Sequence, residues 1–458
     1  MLIEMIQTKV KEALPKSVED LKEFCDLQTI SAQKKMIPET VQYLLNFIEE
    51  LGGKTKVLDD IEGGHPVIYA SFEAGPRGNS EKTLLFYNHY DVQPPEPLDE
   101  WETPPFELTE IEGKLFARGS ADNKGDLMAR LTAIKILKES EAGLPCHVKF
   151  LLEGEEEIGS PNLEFYLTQY NELFKADACI WEHADKDDKD RVSLMAGVKG
   201  MAYFELTCES ADMDLHSKVG ALVDNAAWRI THALASMKNN KHEILVDGFF
   251  DGILPPTDLE LEYVRSIPFD EQSISNLYGL KQPLITSYSG QDPREANIFN
   301  PTMTICGLES GYYGEGSKTV LPKKAMAKLD CRLVPGQDPA HILECIENHL
   351  QKQGFSDVKV KLLSGVRAFR SDLSHPFVTL MVRTAQEVYD TEVVLSPNNT
   401  GTGPMSEFGH HLQLPIVSTG VGWAHSRLHA PNESIRLKDY EEGIVHIAYI
   451  ISEFANTN

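Results

Sequence analysis

Short apolar runs alternate with amphipathic segments between about residues 80 and 190. The runs KTLLFYNH (82–89) and HVKFLLEG (147–154) are almost continuously apolar, which is typical of strands buried on both faces. The segments 123–140 and 162–174 instead place apolar side chains at helical spacing. Strands that alternate with helices predict a mostly parallel sheet covered by helices.

The pattern changes after residue 190. Between residues 199 and 363 the expected elements follow the order β-α-β-β-α-β, which is that of a split βαβ domain. A Pro-rich, partly helical stretch at 240–300 interrupts this order, and the α/β pattern then resumes. The predicted fold class is therefore α/β with an inserted α+β domain. The expected domains are residues 1–196 (first part), residues 197–366 (inserted domain) and residues 367–458 (second part of the first domain).

Composition narrows the class of protein. Of the 458 residues, 41% are hydrophobic and 25% are charged, as in an ordinary soluble globular protein. The formal net charge of −27 repels phosphate backbones, so we expect no nucleic-acid partner. No apolar stretch approaches the roughly 20 residues that a membrane-spanning helix needs, so we expect no membrane association.

The N-terminus and the cysteines indicate a cellular compartment. The segment MLIEMIQTKVKEAL mixes charges with apolar residues at helical spacing, unlike a secretory signal. The seven cysteines are scattered singly, without a Cys-x-x-Cys pair, which argues against a disulfide framework. We therefore expect a cytoplasmic protein with reduced thiols.

Residues that bind metals follow several of the predicted strands. His89 ends one apolar run, the acidic triplet 155–157 follows the next, and Glu182 follows the run ACIW. Asp122 lies at a strand-to-helix turn, and His429 lies in a Pro-containing loop. Because ligands gather at the carboxyl ends of parallel strands, we expect these side chains to converge. Histidine and carboxylate ligands suit zinc, or manganese as a harder substitute.

The charges of these residues favour two metal ions over one. Three carboxylates carry −3, so two divalent ions and one bridging hydroxide would leave the site neutral. The two ions could share Asp122 and the hydroxide at a separation of about 3.5–4 Å. Bound metal would also offset the cost of burying one acidic residue of the triplet, and a neighbouring one could act as general base.

Five motifs in order resemble those of a known enzyme family. They are HYD (89–91), ARGSADNKGDL (117–127), EGEEEIGS (153–160), DLHS (214–217) and HAPNES (429–434). Together they resemble the di-zinc metallopeptidase family of carnosinase, acetylornithine deacetylase, succinyl-diaminopimelate desuccinylase and glutamate carboxypeptidase. This resemblance implies a zinc-peptidase fold in which residues 197–366 form a lid and dimerisation domain.

The resemblance also implies roles for the metal-site residues. Two divalent ions per subunit are expected, zinc first, with manganese or cobalt as alternatives. Glu156 falls at the position of the general base, and Asp91 at that of the residue that orients the His89 imidazole. The peptide bond from Asp122 to Asn123 is cis in similar proteins. The implied ligands are His89, Asp122 and Glu182 for one ion, and Asp122, Glu157 and His429 for the other.

Further roles fall in the inserted domain and near the C-terminus. His216 of DLHS matches a histidine that reaches across a homodimer to stabilise the oxyanion. Arg332 and Thr319 match positions that receive the substrate carboxylate in carnosinase-like enzymes, and Thr402 falls near a hydroxyl residue of similar role. The implied partners are a second copy of the chain and a small dipeptide or N-acyl amino acid substrate.

Several alternatives remain open at this point. Glu182 is typical of the deacylases and the carboxypeptidase, whereas residues 318–338 resemble the dipeptidases. The reaction is thus predicted to be amide hydrolysis, by a dipeptidase or an N-acyl-amino-acid deacylase. A non-catalytic metal-binding relative is a third interpretation, but Glu156 and Asp122 are both present.

Other histidines and acidic residues could compete for these roles. His425 is an alternative ligand to His429, and Glu155 an alternative base to Glu156. We expect structural roles for four other histidines, which are His65, His183, His410 and His411.

Overall fold

A computed structural model describes residues 2–457 of the chain in two compact units. The first unit comprises the chain up to Gly197, the segment Arg370–Pro397 and the chain from Glu407 onward. The second unit comprises Val198–Phe369 and Asn398–Ser406.

Strands and helices are numbered here in chain order. The strands are β1 (Lys54–Leu58), β2 (Val67–Phe72), β3 (Asn79–His89), β4 (Thr109–Ile111), β5 (Lys114–Phe116), β6 (Cys146–Glu153), β7 (Ala178–Trp181), β8 (Asp185–Lys186), β9 (Val192–Met195), β10 (Gly197–Val198), β11 (Gly200–Glu209), β12 (Leu215–His216), β13 (Thr304–Ser310), β14 (Val320–Leu321), β15 (Lys324–Leu333), β16 (Lys359–Val366), β17 (Phe369–Arg370), β18 (Val393–Ser396), β19 (Ile416–Ser418), β20 (Gly422–Trp423) and β21 (Ser434–Arg436). The helices are α1 (Leu2–Asp26), α2 (Ile37–Glu50), α3 (Lys124–Lys138), α4 (Leu163–Gln169), α5 (Asn171–Phe174), α6 (Ala226–Met237), α7 (Asp258–Ser266), α8 (Glu271–Tyr278), α9 (Thr286–Ser289), α10 (Pro293–Phe299), α11 (Pro339–Lys352), α12 (Pro376–Val388), α13 (Met405–Leu412) and α14 (Leu437–Phe454).

A large sheet forms the centre of the first unit. Its strand order is β1-β2-β6-β3-β7-β19-β9-β8-β20, and β18 also pairs with β9. The central neighbours β6, β3, β7 and β19 run parallel, so that His89 lies opposite Glu153 and Cys179 opposite Ile416. The mostly parallel sheet predicted from the apolar runs is thus confirmed.

Helices α1, α3, α12 and α14 pack against one another in the first unit, and α3, α12 and α14 also contact the sheet. The apolar side chains Leu127, Leu131 and Ile134 of α3 are fully buried, as their helical spacing predicts. None of the helices within residues 2–457 combines the length and apolar character needed to cross a bilayer.

The second unit is built on a four-stranded antiparallel sheet with the order β13-β15-β11-β16. Helices α6 and α11 pack against it, which gives the predicted β-α-β-β-α-β order. Alternate residues of β11, such as Phe204 and Leu206, are buried in a core with Ile230 of α6 and Ile346 of α11. The stretch between α6 and β13 carries the short helices α7 to α10.

Residues 398–406 belong to the second unit, whereas the sequence places them with 367–458 in the first domain. Tertiary hydrogen bonds explain this difference. The Lys199 N–H donates to the carbonyl oxygens of Asn399 and Gly401, and the Thr402 hydroxyl donates to the Gly200 carbonyl. The hydrophobic pattern along the chain does not predict such hydrogen bonds between distant segments.

Candidate metal centre

Three neighbouring parallel strands deliver polar side chains to the same edge of the central sheet. His89 is the last residue of β3, and Glu182 directly follows β7. After β6 ends at Glu153, the chain turns into a short 3-10 helix, Glu156–Ile158. This is the edge at which ligands bind in open α/β sheets.

Asp122 reaches this edge from the turn before α3. The Asp122–Asn123 peptide bond is cis, as the resemblance implies. The Asn123 amide donates to the Glu182 carbonyl at 2.9 Å and accepts from the Asn88 amide. The turn is thereby tied to the ends of both β3 and β7.

The five predicted metal ligands converge on Asp122. One carboxylate oxygen, Oδ1, lies 2.9 Å from His89 Nε2, which is itself 3.9 Å from Glu182 Oε2. The other oxygen, Oδ2, lies 3.0 Å from His429 Nε2, which is 3.1 Å from Glu157 Oε2. Two groups of three ligand atoms therefore meet on opposite oxygens of one carboxylate.

The side chains fit divalent metal ions. Glu182 Oε2 is buried and has no hydrogen-bond partner among the described residues, as expected of an oxygen reserved for a cation. Two ligand atoms that share one tetrahedral ion at about 2.0–2.1 Å lie about 3.3 Å apart. The distances of 2.9–3.9 Å within the two groups bracket this value.

Asp91 and Gln93 form hydrogen bonds that orient the proposed ligands His89 and Glu157. The His89 Nδ1 atom lies 3.0 Å from the Asp91 carbonyl oxygen and 3.4 Å from its Oδ1. Because both are acceptors, Nδ1 carries a proton, which leaves Nε2 as the ring atom that would ligate a metal. Asp91 Oδ2 also accepts the Glu157 N–H at 3.0 Å, and the Gln93 amide donates to Glu157 Oε2 at 2.9 Å.

The acidic residues after β6 have distinct surroundings. Both oxygens of Glu155 accept hydrogen bonds, from the His65 N–H at 2.9 Å and from the Asn162 amide at 2.7 Å. Glu155 is thus engaged in structure, which favours Glu156 as the base. Burial, followed by the charges of Asp122 and Glu157, raises the pKa of Glu156 to about 7 against the opposing effect of His89.

The electrostatics of the ligands follow from their crowding. Burial and the charge of Glu156 raise the pKa of Glu182 well above its usual range. Burial alone would raise the pKa of Asp122 too, but its hydrogen bonds with His429 and His89 lower it overall. The same bond to Asp122, together with that to Glu157, raises the pKa of the half-exposed His429 to about 10. Two divalent cations would stabilise every carboxylate of this site in its charged form.

The predicted residues of the second unit lie in two pairs. Arg332 donates from Nη1 to the Thr402 hydroxyl at 2.9 Å, and its Nε lies 3.1 Å from Asp330. His216, at the end of β12, is exposed, and its Nδ1 accepts the Lys218 N–H at 3.1 Å. The Thr319 carbonyl accepts the neighbouring Ser217 N–H, so Thr319 and His216 lie on adjacent segments.

The competing histidines have other partners. His425 is exposed, and its Nε2 lies 3.5 Å from Asp188 Oδ1. His65 contacts the Ser31 carbonyl, and His183 lies between Asp126 and Asp185. His411 lies near two glutamates, Glu164 and Glu407, at a surface.

Sequence reasoning missed three buried charged residues behind the site. Glu433 accepts hydrogen bonds from the N–H groups of Ala121 and Asp122 and forms an ion pair with Arg118. Arg130 of α3 donates to the Tyr87 carbonyl, near the end of β3, and to the Trp181 carbonyl, at the end of β7. The available signal was the presence of arginines within otherwise apolar or small-residue stretches, but nothing local identifies their partners.

The fold and the ligand group together define a metal-dependent hydrolase, since two histidines and three carboxylates gather at the ends of parallel strands in an open α/β sheet. The chain belongs to the Peptidase family M20/M25/M40, whose profile matches residues 85–453. The family resemblance read from the five motifs is confirmed, and the protein is a metallopeptidase.

Individual relatives agree with this assignment. The crystal structure of the M20 family metallo-carboxypeptidase Sso-CP2 from Sulfolobus solfataricus is 38% identical, has a TM-score of 0.85 and matches over 96% of this chain and 99% of that one. Human Beta-Ala-His dipeptidase is 26% identical over 402 residues, which cover 85% of this chain and 78% of the relative. The Cys-Gly metallodipeptidase dug1 of Schizosaccharomyces pombe is 27% identical over 482 residues, 100% of this chain and 98% of the relative.

Proposed function

We propose that this metallopeptidase hydrolyses dipeptides and similar short peptides that carry a free C-terminal carboxylate. The observation that carries the proposal is the arrangement around Asp122, with one histidine and one glutamate near each of its oxygens. The named dipeptidases among the relatives support this substrate class over N-acyl amino acids.

The proposed metal content is two divalent ions, with Asp122 as the shared ligand. His89 and Glu182 would complete one site, and Glu157 and His429 the other. Zinc is the favoured metal because the ligands are imidazoles and carboxylates, and manganese or cobalt are the alternatives. When bound, the ions would activate a water molecule and polarise the scissile carbonyl.

Glu156 is the proposed general base. Its carboxylate would take a proton from the attacking water and pass it to the leaving amine. Glu156 directly precedes the proposed ligand Glu157, so its carboxylate is placed beside the metal site to perform both transfers. Asp91 would keep the His89 proton on Nδ1 throughout the cycle.

Arg332, Thr402 and Thr319 are the proposed substrate-carboxylate residues. The guanidinium of Arg332 is planar and partly exposed, and its Nη1 already donates to the Thr402 hydroxyl. A fork of N–H donors can bind a carboxylate through two parallel hydrogen bonds.

His216 is the proposed oxyanion donor. Its Nδ1 accepts the Lys218 N–H, so the neutral ring carries its hydrogen on the exposed Nε2. We propose that His216 of one subunit serves the site of the other in a homodimer formed through the second unit, as the resemblance implies.

We also propose a reducing, cytoplasmic environment, since all seven cysteines are free in the structure.

A substrate screen tests the proposal. The metal-free protein would be incubated with Zn²⁺, Mn²⁺ or Co²⁺ and offered dipeptides, the same dipeptides with amidated C-termini, and N-acetyl and N-succinyl amino acids. Hydrolysis of free dipeptides only after metal is added is the expected result. Preferential cleavage of the N-acyl amino acids, or equal activity without metal, would contradict it.

A second candidate is removal of C-terminal residues from longer peptides. The 38% identity to a structure described as a metallo-carboxypeptidase favours it. Glu182 is compatible with it, because the resemblance associates a glutamate at this position with the deacylases and the carboxypeptidase. Tripeptides and tetrapeptides in the same screen separate the two, because a strict dipeptidase leaves them intact.

A further inference from the structure

The loop that carries His429 is tied to the turn that carries Asp122 by one buried carboxylate. Glu433 is fully buried, with 0% of its side chain exposed. Its Oε1 accepts the N–H groups of Ala121 at 2.9 Å and Asp122 at 3.0 Å. Its Oε2 pairs with Nη1 of Arg118, which is 1% exposed. Unfolded chain would hydrate both charges, so their burial requires this pairing.

Neighbouring contacts make the loop rigid on both sides of Glu433. The Asn432 side chain accepts the Glu102 N–H and donates to the Glu100 carbonyl. Directly after Glu433, strand β21 pairs with β5, with Ser434 opposite Phe116. The segment that leads to Asp122 and the segment that follows His429 therefore move as one body.

The other half of the ligand group has a different buried anchor. Arg130 is 1% exposed and donates to the carbonyl oxygens of Trp181 at 2.6 Å, Glu182 at 3.0 Å and Tyr87 at 2.7 Å. It also donates to the Asn88 side chain at 2.6 Å, beside His89. These bonds hold the ends of β3 and β7, from which His89 and Glu182 project.

We infer that Glu433, with Arg118, is a positioning residue for the shared ligand Asp122 and for His429, whereas Arg130 positions only the ligands His89 and Glu182. Loss of Glu433 should therefore weaken both metal sites, whereas loss of Arg130 should weaken only the site near His89 and Glu182. This inference rests on the proposed two-metal function. Loss of a group that orients metal ligands typically lowers affinity about 10–100-fold.

The test isolates one metal at a time. Glu182→Ala removes a ligand of the His89 half and leaves the His429 half, whereas His429→Ala does the reverse. Glu433→Gln and Arg130→Gln would each be placed in both backgrounds, and Zn²⁺ affinity of the metal-free full-length protein measured by competition with a chelator. Glu442→Gln is the matched control, since it removes the Lys186–Glu442 ion pair of the same unit.

Glu433→Gln should weaken Zn²⁺ binding about 10–100-fold in both backgrounds, because each remaining site uses Asp122. Arg130→Gln should weaken it by as much in the His429→Ala background, which keeps the His89 site, and less than about threefold in the Glu182→Ala background. Glu442→Gln should leave the Zn²⁺ affinity unchanged in both. If Glu433→Gln does not fold, Arg118→Lys replaces it with the same expected pattern. With two ions in the wild type, a Glu433→Gln loss confined to one background, or an Arg130→Gln loss of equal size in both, would overturn the inference alone. Fewer than two ions in the wild type would overturn the two-metal function and the inference with it.

Discussion

At the scale of single residues, the three consecutive glutamates after β6 face three different environments. Glu155 accepts two structural hydrogen bonds, and Glu157 faces His429. Glu156 lies between them, partly buried among charges that raise its pKa. A tight 3-10 turn permits this, because it sends successive side chains in directions about 120° apart. Like charges that would repel on one face are thus separated.

Glu156→Gln should abolish most of the activity without loss of metal. A glutamine has nearly the same shape but cannot take a proton, so kcat should fall by about 10²–10⁴. Steady-state kinetics and metal analysis on the same sample check this. Glu164→Gln, at an exposed glutamate of the same unit, is the control. Near-normal turnover of Glu156→Gln would exclude it as the base.

Arg332→Lys should raise KM sharply for dipeptides with a free carboxylate, because lysine cannot form the two parallel hydrogen bonds of a guanidinium. Amidation of the substrate should harm the wild type and scarcely affect the variant. Kinetics with each substrate form in both enzymes give the comparison. Lys328→Arg, on the same strand, is a suitable control. Equal losses on amidation in both enzymes would mean that Arg332 does not contact the carboxylate.

At the scale of elements, α14 packs against α12 and buries a histidine between them. His446 lies 3.2 Å from the Thr384 hydroxyl and 3.3 Å from that of Thr419. Burial lowers the pKa of His446 to about 3, from 6.5 in an exposed histidine. The neutral form is therefore favoured in the folded state, and protonation favours unfolding.

This burial predicts a pH dependence of stability. Above pH 6.5 the neutral His446 costs the folded state nothing. As the pH falls below 6.5 the free energy of unfolding decreases, and this loss reaches about 2 kcal/mol at pH 5. His446→Gln should flatten the stability profile between pH 7 and pH 5 by this amount, as measured by urea unfolding with a chelator present. His232→Gln, at an exposed histidine, should leave the slope unchanged. An unaltered slope in His446→Gln would contradict the assignment.

The same scale shows what sequence could and could not predict. The strands β3, β6 and β7 were predictable because each is an apolar run that stops at a ligand-type residue, and His429 because it lies in a recognisable motif. The ion pair between Arg118 and Glu433 was not predictable from the sequence, since the two residues lie 315 positions apart. Pairing across such a distance depends on the completed fold, and neither residue's neighbours along the chain record it.

At the scale of the whole molecule, the proposed homodimer predicts complementation between two inactive variants. His216→Ala and Glu156→Gln would be mixed under conditions that exchange subunits. Each mixed dimer then has one site with both residues intact, so activity should return to about a quarter of the wild-type value after statistical exchange. Each variant mixed with itself is the control. Proven exchange without recovery would mean that His216 does not act across the dimer.

The order of strands in the large sheet also bears on how the protein is made. Strand β19 lies between β7 and β9, yet it is synthesised more than 200 residues after them. While the ribosome produces the intervening chain, β7 and β9 lack this neighbour, and their unpaired edges invite association with other chains. The second unit needs only residues 398–406 from beyond Phe369 and can collapse earlier. Release of a chain truncated before Ile416 would therefore leave a folded insert attached to an open, aggregation-prone sheet.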